Sequence, residues 1–468
     1  MAATAIAPTS TPRAAATELP PGPRAPAFVQ TLAWSLAPTW VMDRCARRLG
    51  DAFTLTFSPS GMKLVLISDP QDVKTLFTAP PELAPSATGN SPIRPVMGER
   101  SVLVLTGAEH MRQRKLLLPP FHGERMREYE QTIVDATRAD MASWPRGEPM
   151  HLQERTRAIT LEVILRAVFG VEAERMDAMR EAIAGLLAPM NSLRIVWLAL
   201  RRMSLERPTG AIGRALDQLD ETIYAELARR RVQQDLGERT DILSLLMQAR
   251  DEDGQPLTDD ELRDELVTLL LAGHETTATS VAWAIERLVR HPQQLARLVA
   301  EIDAGPDGGE RYAMAVVNET LRVRPVVPIV GRILSEDFEL TGRLLPAGTR
   351  VMPSIYLTNR NPRVYDAPAE FRPERFLDDT PDTFAWIPFG GGIRRCIGAS
   401  FAQLEMRLML RTMLGELQPS LPAARVPLRR RARHRVAADG ASARGELIRR
   451  RAITLVPGRG ARVVWRER

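Results

Sequence analysis

The chain has 468 residues, of which 44% are apolar, ample for a large core. Its 63 lysines and arginines against 57 acidic residues leave a formal charge of only +6, which argues against a strongly cationic nucleic-acid binder. Two cysteines, Cys45 and Cys396, lie far apart; this argues against a disulfide framework and fits a reducing compartment.

Residues 1–19 are rich in Ala, Thr and Pro and lack the charged start and apolar middle of a signal peptide. No apolar run approaches the roughly 20 residues of a membrane span. The expectation is a soluble, cytoplasmic protein. It has a flexible tail over 1–19 and one folded body over 20–468, entered at Pro20-Pro21-Gly22-Pro23.

Residues 51–57 and 62–67 read as strands around the turn Ser58-Pro59-Ser60-Gly61. Asp69-Pro70 starts a helix, with Asp as N-cap and Pro in the first turn. Residues 80–100 are Pro-, Gly- and Ser-rich and irregular. Thr106-Gly107-Ala108-Glu109 has the form of a capping box. It opens a helix on which His110 and Arg114, four apart, share one face. From 126 to 247 the pattern is helical with no convincing strand. The apolar run Leu187–Leu198 within it is broken by Pro189.

Thr258-Asp259-Asp260-Glu261 is a second capping box. Its helix runs to about Arg290 and spans about 50 Å. The middle, 266–273, is apolar on all sides and so buried. Into it are set Ala272-Gly273-His274-Glu275-Thr276-Thr277. A glycine, an acid and two threonines weaken a buried helix; a threonine there can bond the i−4 carbonyl and bend it. Gly273 would leave room for a small ligand against the backbone. A zinc-protease reading of His274-Glu275 fails, because the second histidine would fall at Ala278.

The next helix, 311–323, carries Glu319 and Arg322 three apart, so they can pair. Phe371-Arg372-Pro373-Glu374-Arg375-Phe376 follows downstream. Val326–Val330 reads as a strand edge lining an apolar pocket, with Arg332 just after it. Residues 338–340 with 349–352, and 452–456 with 461–465, read as two hairpins. The stretch 421–451 is arginine-rich without interleaved aromatics, so a nucleic-acid patch is not expected there.

The most specific stretch is Phe389-Gly390-Gly391-Gly392-Ile393-Arg394-Arg395-Cys396-Ile397-Gly398. It presents a thiol on a glycine-built loop that feeds a helix N-terminus. There, free N–H groups and the helix dipole favour a thiolate. Gly392 and Gly398 let backbone fold under the sulfur and a flat group lie close to it. One strong thiolate ligand suits an iron.

Phe389, Gly392, Arg394, Cys396 and Gly398 together resemble the haem-binding loop of the cytochrome P-450 family, of soluble bacterial type. The other motifs fall in that family's order. The resemblance implies a mainly α fold with a small β region, in one triangular helix-rich domain. It implies haem b with Cys396 as the axial iron ligand. His110, Arg114, Arg332 and Arg394 would face the propionates, with Ala272 beside the ring. Glu275 and Thr276 would be the acid–alcohol pair that delivers protons to bound O2. Glu319, Arg322 and Arg375 would form a structural network behind the cysteine loop.

The implied activity is that of a monooxygenase, an oxidoreductase inserting one oxygen of O2 into a C–H or C=C bond of an apolar small molecule. Too few residues follow Cys396 to hold a fused flavin reductase. Electrons are therefore expected from a separate ferredoxin or flavodoxin with its NAD(P)H reductase, docked on Arg112, Lys115, Arg395, Arg407 and Arg411. The rivals are an H2O2-dependent peroxygenase and a non-catalytic haem protein; retention of Glu275-Thr276 speaks against both. Pocket candidates by the same resemblance are 91–97, 187–198, Ala272, 326–330 and 453–454.

Overall fold

The structure, a computed structural model, describes residues 18–90, 94–170, 173–190, 207–378, 381–422, 445–451 and 453–468. It is mainly helical. The principal helices are α1 (Ala27–Leu36), α2 (Pro38–Leu49), α3 (Pro70–Thr78), α4 (Gly107–Leu117), α5 (Arg125–Met141) and α6 (Leu152–Phe169). They continue with α7 (Ala173–Met190), α8 (Gly210–Arg231), α9 (Asp259–Leu288), α10 (Pro292–Asp303), α11 (Arg311–Val323) and α12 (Ala399–Glu416). None of the described helices is long and apolar enough to cross a membrane.

Helix α9 is the axis. Its start is fixed by the expected capping box: Thr258 Oγ1 accepts from Glu261 N–H at 3.2 Å, and Glu261 accepts from Thr258 N–H at 2.7 Å. Its thirty residues make it about 45 Å long. Most of its residues are buried, because α6, α8, α11 and α12 pack around it. Two threonines of α6 donate to its carbonyls, Thr160 to His274 at 2.9 Å and Thr156 to Ala278 at 3.0 Å. The helix is continuous through 272–277, and the Thr276 hydroxyl donates to the Ala272 carbonyl at 2.7 Å.

The strands are β1 (Ala52–Phe57), β2 (Met62–Ile67), β3 (Pro149–His151), β4 (Arg332–Ile333), β5 (Phe338–Leu340) and β6 (Arg343–Leu345). The remainder are β7 (Arg350–Pro353), β8 (Leu417–Ser420), β9 (Ile448–Arg451), β10 (Thr454–Pro457) and β11 (Arg462–Glu467). The antiparallel β1–β2 hairpin forms as expected, and β7 joins β2 in parallel.

Both later hairpins expected from sequence are corrected. Residues 338–340 pair with 343–345 across Thr341-Gly342, both at positive φ, a tight two-residue turn. Residues 454–457 pair with 448–451, whereas 462–467 lies between β3 and β8. Strand β3 itself lies in the region expected to hold none. The stretch 326–330 is not a strand, although its backbone is tied at the edge: Leu455 N–H donates to the Val326 carbonyl at 2.7 Å, and Val330 N–H to that of Pro353 at 3.1 Å. Thr106 begins α4, but its side chain makes no capping bond. Residues 91–93, 191–198 and 423–444 of the sequence assignments lie outside the described residues.

Candidate functional site

The cysteine loop is shaped from behind. Gly390 and Gly392 sit at φ +68° and +64°, where a side chain would strain the backbone. A Cβ on Gly391 would fall 2.4 Å from the Phe77 ring, and one on Gly392 2.2 Å from the Phe77 carbonyl oxygen. Phe77, at the end of α3, is therefore the wall the loop is pressed against. The loop closes when Cys396 N–H donates to the Phe389 carbonyl at 2.9 Å. A Cβ on Gly398 would meet no atom within 4 Å, so that side of the loop is open. Phe389 packs edge-on against Trp386, and Cys396 is exposed.

Opposing influences act on the Cys396 thiol. Despite its exposed surface, the sulfur sits deep among protein atoms. That burial raises the thiol pKa against the opposing pull of the Gly398 N–H, Arg114 and Arg395.

Glu319 and Arg322, both fully buried, anchor the loop from α11. Arg322 donates to both carboxylate oxygens, at 2.6 and 2.9 Å, and to the carbonyls of Asn359, Pro368 and Glu370. Arg375 Nε lies 3.3 Å from Glu319 Oε1, and Arg372 N–H donates to the same oxygen at 2.7 Å. Asn359 Oδ1 in turn accepts from Ile387 N–H at 2.9 Å, just before the cysteine loop. The motif pair read from sequence thus fixes the backbone that leads into the loop.

On the other flank stands a cluster of cations without acids. His110 is buried, its Nδ1 has no partner, and its pKa is pushed down to about 4 by burial and by Arg394, Arg114 and Arg332. Arg332 is buried with its guanidinium 5.3 Å from the Phe77 ring centre. It donates only to the neighbouring Gly331 carbonyl, and burial brings its pKa down to about 10. Arg394 donates to the carbonyls of Val102 (3.0 Å) and Leu105. Burial, then Arg332 and Arg114, bring its pKa down to about 10. Arg114 is lowered by burial and has no ion-pair partner among the described residues. The loop that receives Arg394 is itself bound to α9: Val102 N–H donates to Glu265 at 2.7 Å, and Ser101 and Thr268 share a 2.7 Å hydrogen bond.

In α9 the helix surface opens at 271–273 and 275–276, where Ala272 is exposed within an otherwise buried helix. The missing Cβ of Gly273 is not a ligand space. It faces Ile164 of α6, 3.1 Å away, and serves helix packing. Glu275 is held by two arginines that local sequence reading missed: Arg157 of α6 at 2.7 Å and Arg451 of β9 at 3.2 Å. Neither carries a local signal, since both are far from Glu275 in sequence.

Among the other pocket candidates, Val96, Met97, Val326 and Thr454 are buried and Ile453 is exposed. Four of the five cations expected to dock a redox partner have acids of their own. Arg112 pairs with Asp251 (2.5 Å) and Glu261 (2.8 Å), Lys115 with Glu252 (2.7 Å), and Arg407 and Arg411 with Glu310. Arg395 is exposed and has no such partner among the described residues.

Comparison with known proteins points to one family. The family model described as Cytochrome P450 matches residues 20–436. Putative cytochrome P450 135B1 of Mycobacterium tuberculosis is 39% identical over 451 residues, covering 95% of this chain and 91% of that protein. Putative cytochrome P450 137 of the same organism is 40% identical over 429 residues, covering 91% and 85%. Two solved structures, each 23% identical, share the fold. Retinoic acid-bound cyanobacterial CYP120A1 aligns with a TM-score of 0.78 over 97% of this chain and 100% of that one. The cytochrome P450DA haem domain aligns with a TM-score of 0.80 over 97% and 98%.

The chain belongs to the cytochrome P450 family. It is a haem b monooxygenase of the haem-thiolate type, an oxidoreductase that uses O2 and electrons from a redox partner.

The residues present fit that cofactor. Haem b is a flat, apolar ring with two carboxylates and an iron. The cluster of His110, Arg114, Arg332 and Arg394 repels itself and includes an orphaned buried nitrogen, so it lacks anions. The loop offers a cysteine at the protein surface beside an open glycine face.

Proposed function

We propose that this enzyme inserts one oxygen atom of O2 into a C–H or C=C bond of an apolar small molecule, with Cys396 as the residue that would hold the haem iron and Glu275 and Thr276 as the proton-handling pair. Haem, when bound, supplies the centre at which O2 is activated. Cys396 would hold the iron as its thiolate, a form that the Gly398 N–H, Arg114 and Arg395 favour. His110, Arg114, Arg332 and Arg394 hold the two carboxylates.

Thr276 donates its own proton to the Ala272 carbonyl, so its oxygen is left able to accept one. Rotation about χ1 would let it pass a proton inward from Glu275. Both oxygens of Glu275 are tied to arginine, so the acid can act only when the contact to Arg157 or Arg451 opens. Ala272, with no polar atom on its side chain, leaves room for an apolar substrate beside this pair. The observation that supports the reading best is the acid-free cationic cluster next to an accessible cysteine on a glycine loop.

Electrons are proposed to come from a separate ferredoxin or flavodoxin that meets the face around Arg395. Its acids would have to displace Glu310, Glu252, Asp251 and Glu261 to reach the other cations. The test is a reconstitution with a ferredoxin, its reductase and NADPH under isotopically labelled O2, across a panel of lipophilic compounds. One labelled oxygen per product molecule supports the proposal. Equal turnover with H2O2 alone would favour the peroxygenase, and NADPH consumption with no oxidised product from any compound would favour a non-catalytic haem protein.

A further inference from the structure

Helix α1 is built the wrong way round for a surface helix. It has no charged residue, it buries Gln30, and its exposed residues are Phe28, Val29, Leu32 and Leu36. Phe28, Leu32 and Leu36 recur every four residues and form one stripe about 12 Å long. They are 64%, 58% and 68% exposed. Four residues further, Trp40 of α2 is 52% exposed. Thus five of the large apolar side chains that the described residues expose fall within thirteen positions. The core residues of this region, Trp34, Val41, Met42 and Cys45, face the other way, onto β1 and β2. The stripe is therefore surplus to folding. Strand β9 packs against α1, and Leu447 just before it is also exposed.

The charges around the stripe are of one sign. Arg24 precedes it. Arg44, Arg47 and Arg48 follow Trp40 at four, seven and eight residues and so share its face of α2. None of these four has an ion-pair partner among the described residues. Arg44 lies over the Trp40 ring, 5.3 Å from its centre. The neighbouring acid, Asp43, is turned inward to the Tyr356 hydroxyl at 3.1 Å.

We propose that α1 and the exposed face of α2 form a peripheral docking surface for an anionic phospholipid bilayer. An apolar stripe with a tryptophan and unpaired arginines at its edge fits the boundary between acyl chains and headgroups. The apolar residues enter the upper acyl layer, and the arginines reach phosphate oxygens. Ten residues cannot span the bilayer, so the helix lies flat in its surface. A second copy of this chain fits less well, because a symmetric contact would bring Arg44, Arg47 and Arg48 against their own equivalents. This surface is separate from the haem site, so its assignment stands independently of the proposed reaction.

The experiment is flotation of the full-length haem-loaded protein with phosphatidylcholine vesicles, with and without phosphatidylglycerol. The wild type is expected to float with the anionic vesicles and to be released by salt. Leu32→Glu with Leu36→Glu, and separately Arg47→Glu with Arg48→Glu, should each lower partitioning by about tenfold or more. Both pairs lie on exposed positions, and unchanged haem absorbance and circular dichroism would confirm that they fold. Failure of the wild type to bind anionic vesicles, or variants that float as well as the wild type, would overturn the proposal. So would a stable dimer that Leu32→Glu separates without any vesicle binding, which would assign the stripe to a second copy.

Discussion

Replacing Glu405 by glutamine should remove a pH-dependent loss of stability. Glu405 sits on the inner face of α12, nine residues after Cys396, and is almost fully buried. Among the described residues its Oε1 has no hydrogen-bond partner, and no cation offsets its burial. Burial pushes its pKa up to about 8, and the Thr277 hydroxyl beside it pulls only weakly the other way. The folded protein therefore keeps this proton at neutral pH, while the unfolded chain releases it near the ordinary glutamate value of about 4.3. The unfolded state binds fewer protons, so stability falls as pH rises between those two values. Between pH 6 and pH 8 the fall amounts to about 2 kcal/mol at 1.36 kcal/mol per unit. Urea unfolding at both pH values should show this decline in the wild type and its loss in Glu405→Gln, which should also be the more stable protein at pH 8. A variant that is equally pH-sensitive, or a wild type whose Glu405-dependent stability rises with pH, would refute the reasoning.

Arg322→Ala should cost about 3–5 kcal/mol of stability, because Glu319 and three carbonyls lose their buried partner; thermal unfolding reads it, and a loss under about 1 kcal/mol would contradict the network. Arg332→Gln should leave the extracted, haem-free protein as stable or more stable, since a costly buried cation is removed, yet release haem at least about tenfold more readily in a haem-transfer assay. Thr276→Val should change stability by less than about 1 kcal/mol, since only a back-bond to Ala272 is lost. It should lower product formed per NADPH consumed by a far larger factor, measured as coupling efficiency. Arg157→Ala should raise coupled turnover in the reconstituted assay with little change in haem content, because it frees one oxygen of Glu275, the opening that proton transfer requires; a fall would contradict that gating.

The parts legible in sequence were those whose geometry is local. The capping box at Thr258, the Asp69-Pro70 helix start, the Glu319–Arg322 spacing and the glycine–cysteine loop each state their own structure within ten residues. Contacts across the chain were not legible. The parallel pairing of 64–67 with 350–353 and the placement of 462–467 between two distant strands depend on the whole fold. The 338–345 hairpin did carry a signal, the Thr341-Gly342 turn, but the longer apolar stretch after Gly348 competed with it. Gly273 suggested ligand room from composition alone, and only the position of Ile164 shows that helix packing uses it. The grips of Arg157 and Arg451 on Glu275, and the acids already paired with Arg112, Lys115, Arg407 and Arg411, likewise depend on tertiary placement.

The most direct measurement is the absorbance of the dithionite-reduced protein under carbon monoxide, for the wild type and for Cys396→Ala. The wild type should give the strongly red-shifted Soret band of a thiolate-ligated ferrous haem, and the variant should lose it while Cys45→Ala keeps it. An unshifted band in the wild type, or the same shifted band in Cys396→Ala, would contradict ligation by Cys396.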